Sequence, residues 1–400
     1  MLYVGISSVI IAMGVTWMAT PVLIRVAQHL GGMDLPGARK VHSEPIPRIG
    51  GVAVFLGFVA GLSFAAWVTG ALDGSVQVSV YWKGLALATA FMLLVGLVDD
   101  LRGLSFRTKF AAQFAAAIFV WYCGFRVEVV SHPFGGMLDL GWLSLPLTVF
   151  WIVGITNAVN LIDGLDGLAP GIALITTLSV AVIAFVRNDL GITAVSVALA
   201  GALIGFLRYN INPARIFLGD SGSMFLGFAL AVTSVRGSQK GPMVVAILIL
   251  LLVLGLPLLD TGAAVVRRVN RLRAQGARND DALRYVIRNL TDVFQADRGH
   301  IHHCLLDAGL SQSRAVLVLY GIGSIFAICA FVLVLVKSLL IALILIAILT
   351  ILMAAVLIPL YLGWWKLEVE PAQDSRNSTP EPAKRNPAPA AAQQVQTGRR

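Results

Sequence analysis

Long apolar segments recur along almost the whole chain, and they limit it to a fold that is built within a membrane. A membrane-crossing helix needs about 20 mostly apolar residues. Only 13% of the residues are charged, against about 25% in a soluble domain. We therefore predict an all-α fold, a polytopic helical bundle of about 11 transmembrane helices, of which 83–98 is short and 143–159 contains Pro146. The segments are roughly 2–24, 50–70, 83–98, 106–124, 143–159, 170–186, 191–207, 218–235, 242–262, 316–336 and 338–362.

The distribution of lysine and arginine predicts the orientation, because cytoplasmic loops carry an excess of both. The chain begins apolar and its first basic residue is Arg25, which predicts an uncleaved first helix with its N-terminus outside. The inner segments then hold 24 of the 30 basic residues. The net charge of +9 is explained by these loops, and nucleic acid is not indicated as a partner. Three cysteines without paired spacing indicate neither a disulfide framework nor a cysteine metal site.

The segments outside the predicted spans differ in length and composition. Residues 1–362 form the predicted membrane domain, within which 263–315 is a large cytoplasmic loop. The outer connection 125–142 has the alternation and glycines of a small hairpin. The tail 363–400 is rich in Pro, Ala and Gln, so we predict a disordered cytoplasmic tail without chemistry.

Acidic residues collect at the predicted inner ends of the spans, which suggests a single site. Charged groups at membrane depth cost about 2.5–3.5 kcal/mol each, so they are usually functional. The stretch 157–169, Asn-Ala-Val-Asn-Leu-Ile-Asp-Gly-Leu-Asp-Gly-Leu-Ala, carries two of them. The alternative is a tight turn whose polar residues cap the next helix. The six acids are Asp99, Asp100, Asp163, Asp166, Asp220 and Asp260, the last of which is also interpreted as structural.

Two of the acidic motifs have side chains suited to cations and phosphates. Adjacent carboxylates such as Asp99 and Asp100 repel each other and are easiest to keep ionised near a cation, and Lys109 follows within ten residues. In Phe217-Leu-Gly-Asp-Ser-Gly-Ser, Asp220 suits a hard cation and Phe217 offers an aromatic face for a base. A helix cap is the alternative for Asp220.

The loop 263–315 contains three histidines within four residues, in Asp297-Arg-Gly-His-Ile-His-His303. Zinc is one interpretation, but no HExxH motif or cysteine accompanies the histidines. The second is a cluster of donors for anionic oxygens, and the third is an exposed interfacial cluster. Together with the acids and the membrane location, the second interpretation suggests phosphoryl chemistry on a lipid with Mg²⁺. A transporter with a cytoplasmic acidic cation site is the alternative from another class. No Walker A motif is present, so ATP hydrolysis is not indicated.

These motifs, in this order, resemble those of the polyprenyl-phosphate N-acetylhexosamine-1-phosphate transferases. The resemblance runs from about Asp34 to Leu319. Its histidine block and eleven spans are similar to the branch that starts cell-surface polysaccharides from UDP-N-acetylglucosamine, rather than to the peptidoglycan branch. The matching pieces are Asp34…Arg39-Lys40…His42…Pro47-Arg48…Gly50-Gly51, Gly-Leu-Val-Asp99-Asp100, Thr108-Lys109…Gln113, the stretch 157–169, Phe217–Ser223, Pro257-Leu-Leu-Asp-Thr and Asp297–His303.

The resemblance implies a role for each candidate site residue. It places Mg²⁺, with Mn²⁺ as a substitute, on Asp220 and Asn160. Asp99 binds or deprotonates the lipid phosphate with Asp100 beside it, and Asp163 belongs to the catalytic set. The implied substrate-binding residues are Lys109, Asn157, Asp166, Phe217, Arg298, His300, His302 and His303.

The resemblance also implies the reaction and its partners. Undecaprenyl phosphate and UDP-N-acetylglucosamine react to give undecaprenyl-diphosphate-N-acetylglucosamine and UMP. This is the first membrane step of O-antigen or related polysaccharide synthesis, in the bacterial inner membrane with the site on the cytoplasmic face. Another UDP-N-acetylhexosamine is the alternative donor. The oligomeric state is left open, with a homodimer as one alternative.

Overall fold

The computed structural model describes residues 2–36, 44–73, 80–131, 137–238 and 301–336, with isolated positions at 269, 341, 344–345, 347–349 and 351. The five continuous ranges contain ten α-helices and two short strand pairs. The helices are α1 (Leu2–Leu30), α2 (Gly50–Asp73), α3 (Val80–Arg102), α4 (Phe106–Tyr122), α5 (Ser144–Ile162), α6 (Leu168–Val186), α7 (Leu190–Asn210), α8 (Gly219–Ser238), α9 (Ile301–Asp307) and α10 (Gln312–Val336). The strands are β1 (Met33–Asp34), β2 (Ile46–Pro47), β3 (Val129–Ser131) and β4 (Met137–Asp139).

Seven of the described helices are long and apolar enough to cross a membrane, namely α1, α2, α3, α5, α6, α7 and α10. Large apolar side chains such as Trp17, Leu94 and Phe150 stand exposed on their surfaces, as expected of helices that face lipid. The predicted class, an all-α polytopic membrane protein, is confirmed. Helices α4 and α8 occupy the predicted spans 106–124 and 218–235. The predicted span 242–262 and most of 338–362 lie outside the described residues.

Helix α8 forms the centre of the described bundle, and residues 221–235 along it are all buried. It packs mainly against α3 and α5, and also against α2. Small residues at its start allow this close approach, as is common between membrane helices. A Cβ atom added to Gly51 at the start of α2 would lie 2.1 Å from the backbone nitrogen of Gly222. Two helix beginnings therefore meet directly at one end of the bundle.

The surrounding helices are joined by hydrogen bonds between polar side chains and the backbone of a neighbour. In α1, which packs on α2 and α7, Ser8 Oγ donates to the carbonyl of Gly61 at 2.9 Å. In α10, which packs on α6, the hydroxyl of Tyr320 donates to the carbonyl of Gly167 at 2.5 Å. Such bonds satisfy polar groups that lipid cannot hydrate.

Several helices extend beyond the boundaries predicted from hydropathy, and in two of them the extension carries candidate site residues. The span predicted at 83–98 is the 23-residue helix α3, which continues through Asp99 and Asp100. The span predicted at 143–159 is α5, which extends to Ile162 and includes Asn160. Hydropathy places a boundary at the first polar residue, but both helices continue because partners in the bundle satisfy these polar side chains.

Short antiparallel strand pairs form on two connections. The hairpin predicted within 125–142 is confirmed, with Val129 opposite Asp139 and Ser131 opposite Met137. The pair of β1 and β2, in which Met33 lies opposite Pro47, was not predicted from the sequence. It follows α1 and leads into α2, where the backbone of Gly50 donates to the carbonyl of Phe217 at 3.0 Å. This contact attaches the first connection to the segment before α8.

Candidate active site

A cavity of about 830 Å³ lies where α3, α5 and α7 end and α8 begins. Five of the six acids predicted to share one site line it, and the sixth, Asp260, lies outside the described residues. The cavity therefore brings together residues that are far apart in the sequence. Its lining residues are Asp34, Glu44, Pro45, Ile46, Arg48, Asp99, Asp100, Asp163, Gly164, Leu165, Asp166, Asn210, Asn212, Pro213, Ala214, Arg215, Phe217, Gly219, Asp220, His303 and Gln312.

Lys109 joins two of the acids into one charged cluster. Its Nζ atom lies 2.5 Å from Asp99 Oδ2 and 2.5 Å from Asp220 Oδ2, so one ammonium group bridges carboxylates from α3 and α8. The other oxygen of Asp99 accepts a hydrogen bond from the backbone nitrogen of Leu104. Lys109 lies on α4, whose first turn is capped by Ser105. Four chain segments thus hold a cation and two anions at the cavity, an arrangement suited to binding and transferring phosphate.

Asn160, at the end of α5, lies beside the same cluster. Its Nδ2 donates to Asp220 Oδ1 at 3.0 Å and to Ser223 Oγ at 2.7 Å. Among the described residues no three His, Cys, Asp or Glu side chains are grouped to hold a metal by themselves. Mg²⁺ usually takes only one or two protein carboxylates and completes its shell with water and substrate phosphates. The oxygens of Asp220 and of the Asn160 amide fit that requirement.

Asp100 occupies a different environment from its neighbour Asp99. Both of its carboxylate oxygens accept backbone hydrogen bonds at the start of α8, from Asp220 N and from Ser221 N, each at 2.9 Å. A carboxylate at this position accepts hydrogen bonds from backbone amides that would otherwise be unpaired. Its negative charge also interacts favourably with the positive end of the helix dipole. The left-handed conformation of Gly219, with φ at 73°, turns the chain into α8 there. Asp100 therefore fixes the backbone that carries Asp220.

Asp163 follows α5 directly and is half-buried in the cavity wall. Loss of hydration raises the pKa of its carboxyl well above the ordinary value of 3.8, and the negative charges of Asp220, Asp100 and Asp166 raise it further. A carboxyl group in this environment readily holds a proton. A cation nearby would offset this cost and favour the ionised form of Asp163.

Asp166 anchors the segment that connects α7 to α8. Its Oδ2 accepts hydrogen bonds from Asn212 Nδ2 at 2.9 Å and from Ala214 N at 3.0 Å. Asn212 Nδ2 also donates to Gln312 Oε1 at 2.9 Å, which ties the start of α10 to the same point. The hydrogen bonds of Asp166 and Asn212 therefore hold together the Asp-Gly turn, the 211–218 segment and α10.

The histidine block is described only in part, whereas Phe217 is fully described. Phe217 and His303 line the cavity. Arg298 and His300 lie outside the described residues, and His302 is described only as part of the α9 backbone. The predicted roles of these three residues stay predictions. His303 nevertheless brings the beginning of α9 to the acidic cavity.

Asn157 and Lys109 are predicted substrate-binding residues that do not line the cavity, and only Lys109 is bound to acids that do. Asn157 instead joins two helices. Its Nδ2 donates to Gln113 Oε1 at 2.6 Å and to the carbonyl of Val153 at 2.8 Å. Gln113 is almost fully buried, at 1% exposure. The pair joins α4 to α5 one turn after Lys109 and one turn before Asn160. The structure thus shows Asn157 in a contact between helices.

Several lining residues were not among the predicted site residues. Arg48 donates from Nε, at 2.8 Å, and from Nη2 to the carbonyl of Asp100. Asn210 Oδ1 accepts from the backbone of Gly167 at 3.0 Å. The polar run Asn210-Ile-Asn-Pro-Ala-Arg215 between two apolar spans was the available signal. Glu44 and Gln312 had no comparable signal, because their place at the cavity depends on tertiary packing.

Comparison with known proteins finds a matching family and relatives that extend over most of the chain. Residues 82–238 match the family described as glycosyl transferase family 4. A probable undecaprenyl-phosphate N-acetylglucosaminyl 1-phosphate transferase of Bacillus subtilis is 38% identical over 78% of this chain and 80% of its own length. A decaprenyl-phosphate N-acetylglucosaminephosphotransferase of Mycobacterium tuberculosis is 35% identical over 79% of this chain and 78% of its own. A phospho-N-acetylmuramoyl-pentapeptide-transferase of Listeria monocytogenes is 30% identical over 84% of this chain and 99% of its own.

The fold and the site define a polytopic membrane enzyme of the phosphoglycosyl transferase class. Since relatives above 30% identity are covered over more than two thirds of their length, the chain belongs to glycosyl transferase family 4. The family recognised from the ordered motifs is confirmed. The alternative of a transporter finds no support, because each of these relatives is named as a transferase.

Proposed function

We propose that the chain transfers N-acetylglucosamine 1-phosphate from UDP-N-acetylglucosamine to undecaprenyl phosphate, giving undecaprenyl-diphosphate-N-acetylglucosamine and UMP. The proposal extends to this chain the activities in the names of the Bacillus and Mycobacterium relatives. The cluster of Asp99, Lys109 and Asp220 at one cavity is the observation that carries it. An oxygen of the lipid phosphate forms a bond to the sugar-side phosphorus. The bond from that phosphorus to the bridging oxygen breaks, and UMP leaves with the electron pair.

The residues of the cluster take separate parts in this reaction. Lys109 exchanges its carboxylate partners for phosphate oxygens and so draws the lipid phosphate to Asp99. Asp99 accepts the proton of a singly ionised lipid phosphate, which leaves a better nucleophile. Asp100 keeps the start of α8 in place and thereby holds Asp220 opposite Lys109. Most of the catalysis in such a site comes from position and charge.

Asp220 and the amide oxygen of Asn160 would hold Mg²⁺, which neutralises charge on the diphosphate and on the departing UMP when it is bound. The Asn160 amide is planar, so a half-turn about its terminal bond presents the oxygen instead of the nitrogen to a cation beside Asp220. Ser223 can follow this change, because its hydroxyl donates as well as accepts. Asp163 supports the same cation through its nearby charge.

The proposed topology has eleven spans with the N-terminus outside and the cavity open to the cytoplasm. The distribution of basic residues supports it. A cytoplasmic cavity is required because the nucleotide sugar is a soluble cytoplasmic substrate. We place the enzyme in the bacterial inner membrane, at the first membrane step of cell-surface polysaccharide synthesis of the O-antigen type.

Release of UMP by the purified protein tests the function. UDP-N-acetylglucosamine and undecaprenyl phosphate together should give UMP, and omission of either or addition of EDTA should stop its release. Asp99→Asn and Asp220→Asn should each lower the rate by at least about 100-fold, because both remove a charge from the reacting cluster. The exposed variant Arg107→Gln, on the same helix as Lys109, serves as the control. Full activity in both aspartate variants would contradict the assigned roles.

A further inference from the structure

The lining of the cavity is strongly acidic, although the proposed substrates are anions. Seven carboxylates line it among the described residues, whereas the lining guanidinium groups are only those of Arg48 and Arg215. Each unpaired carboxylate repels an incoming diphosphate. A positively charged side chain without a carboxylate partner would therefore favour binding of the diphosphate.

The two arginines differ in how far their guanidinium groups are engaged. Arg48 donates twice to the carbonyl of Asp100 and has Asp34 as a further neighbour at 3.9 Å. The Arg215 side chain forms no hydrogen bond or ion pair with the part of the chain that the structure describes. Its five N–H donors thus remain available at the cavity.

Hydrogen bonds fix the backbone around Arg215 and so fix the position of its Cα atom, from which the side chain extends. Arg215 N donates to the carbonyl of Tyr209 at 2.8 Å, and Ala214 N donates to Asp166 at 3.0 Å. Along this segment Ala214, Ile216 and Leu218 are buried. Arg215 and Phe217 alternate with them and both line the cavity. This alternation puts the guanidinium on the same side as the Phe217 ring, which offers an aromatic face for a base.

We propose that Arg215 binds the phosphate groups of the nucleotide sugar and so determines the affinity of the enzyme for UDP-N-acetylglucosamine. This inference rests on the proposed function and adds a substrate-binding residue to it. The guanidinium fork makes two parallel bonds to a phosphate, which a lysine cannot match. Arg215 lies two residues from Phe217, which is assigned to the base, so it is placed to bind the phosphates of the nucleotide. Lys109 lies beside Asp99, and these two residues are assigned to the lipid phosphate.

Steady-state rates of UMP release, with each substrate varied in turn, test the proposal. Arg215→Gln should raise the KM for UDP-N-acetylglucosamine by about 10-fold or more, the usual effect of losing hydrogen bonds to a charged group. The KM for undecaprenyl phosphate should stay unchanged. Arg215→Lys should lie between the wild type and Arg215→Gln. Arg208→Gln is the matched control, because Arg208 is an exposed arginine at the end of α7 and does not line the cavity.

An unchanged KM for the nucleotide sugar, or a rise confined to the lipid phosphate, would overturn the proposal. Calorimetric titration of UDP into the full-length protein measures nucleotide binding without the reaction. It therefore tests the role of Arg215 even if the proposed function is wrong. If wild-type protein released no UMP, weaker UDP binding by Arg215→Gln than by Arg208→Gln would still support a phosphate-binding Arg215. Equal binding by the two variants would reject it whatever the reaction.

Discussion

Asp99 and Asp100 are neighbours in the sequence, but their carboxylates have separate partners. Asp99 pairs with Lys109, whereas Asp100 receives two backbone hydrogen bonds from the start of α8. We predict that Asp100→Ala lowers the free energy of unfolding by about 1–2 kcal/mol, the usual cost of a lost helix cap. Asp99→Asn should leave stability nearly unchanged, because Lys109 keeps Asp220 as a partner, and should still abolish UMP release. Thermal unfolding in detergent, measured beside UMP release, checks both. Equal stability of the two variants would contradict the division of roles.

The raised pKa of Asp163 has a consequence for stability. Between pH 3.8, where the carboxyl ionises in the unfolded chain, and its higher folded pKa, the folded protein binds the proton more tightly. Stability therefore falls as the pH rises through this window, and the cost of the ionised group persists above it. We predict that Asp163→Asn melts at a higher temperature than wild type at pH 7 in EDTA, and that the difference disappears near pH 4.

Saturating Mg²⁺ tests whether the negative charge of Asp163 causes the difference in melting temperature. A cation near Asp163 offsets the cost of that charge. The stability advantage of Asp163→Asn should then shrink at pH 7. An advantage that was independent of both pH and Mg²⁺ would show that the carboxyl is not destabilised by its surroundings.

At the scale of the elements, the Gln113–Asn157 pair couples α4 to α5 and thereby Lys109 to Asn160. Hydrogen bonds between membrane helices contribute about 0.6–2 kcal/mol. We predict that Gln113→Leu destabilises the protein by that amount and that adding Asn157→Leu restores most of it, because no polar group then lacks its partner. The KM of the double variant for UDP-N-acetylglucosamine should match that of wild type. A stable double variant with a much higher KM would instead support the substrate contact predicted for Asn157.

The sequence predicted the helices well and their ends less well. Hydropathy located α3 and α5, because lipid-facing helices must be apolar over their length. It did not predict that α3 continues past Asp99, since the carboxylates there are compensated by Lys109 on the next helix and by the start of α8, which is distant in the sequence. The five acids of the cavity were predicted from their shared position at the inner ends of spans. Arg215 was missed, because only the fold shows that Ala214 and Ile216 are buried on either side of it.

For the whole molecule, the proposed orientation predicts which residues an impermeant thiol reagent can reach. Cys123, Cys304 and Cys329 are first replaced by alanine, and single cysteines are then introduced as Arg107→Cys or Trp142→Cys. Arg107 lies just after α3 ends near the cavity, and Trp142 is 82% exposed on the opposite connection, between α4 and α5. In intact spheroplasts only the cysteine at position 142 should react, and permeabilised membranes should allow both to react. The reverse pattern would place the cavity outside.

In the proposed reaction a sugar phosphate, and not the sugar alone, passes to the lipid at the Asp99–Lys109–Asp220 cluster. UDP-N-acetylglucosamine labelled with ³²P at the sugar-side phosphate distinguishes the two outcomes, because the position of the label shows which bond breaks. Incubated with undecaprenyl phosphate and Mg²⁺, wild-type protein should transfer the label to the lipid and release unlabelled UMP, and Asp220→Asn should do neither. Label recovered in free UDP, with an unlabelled glycolipid, would show transfer of the sugar alone and contradict the proposed reaction.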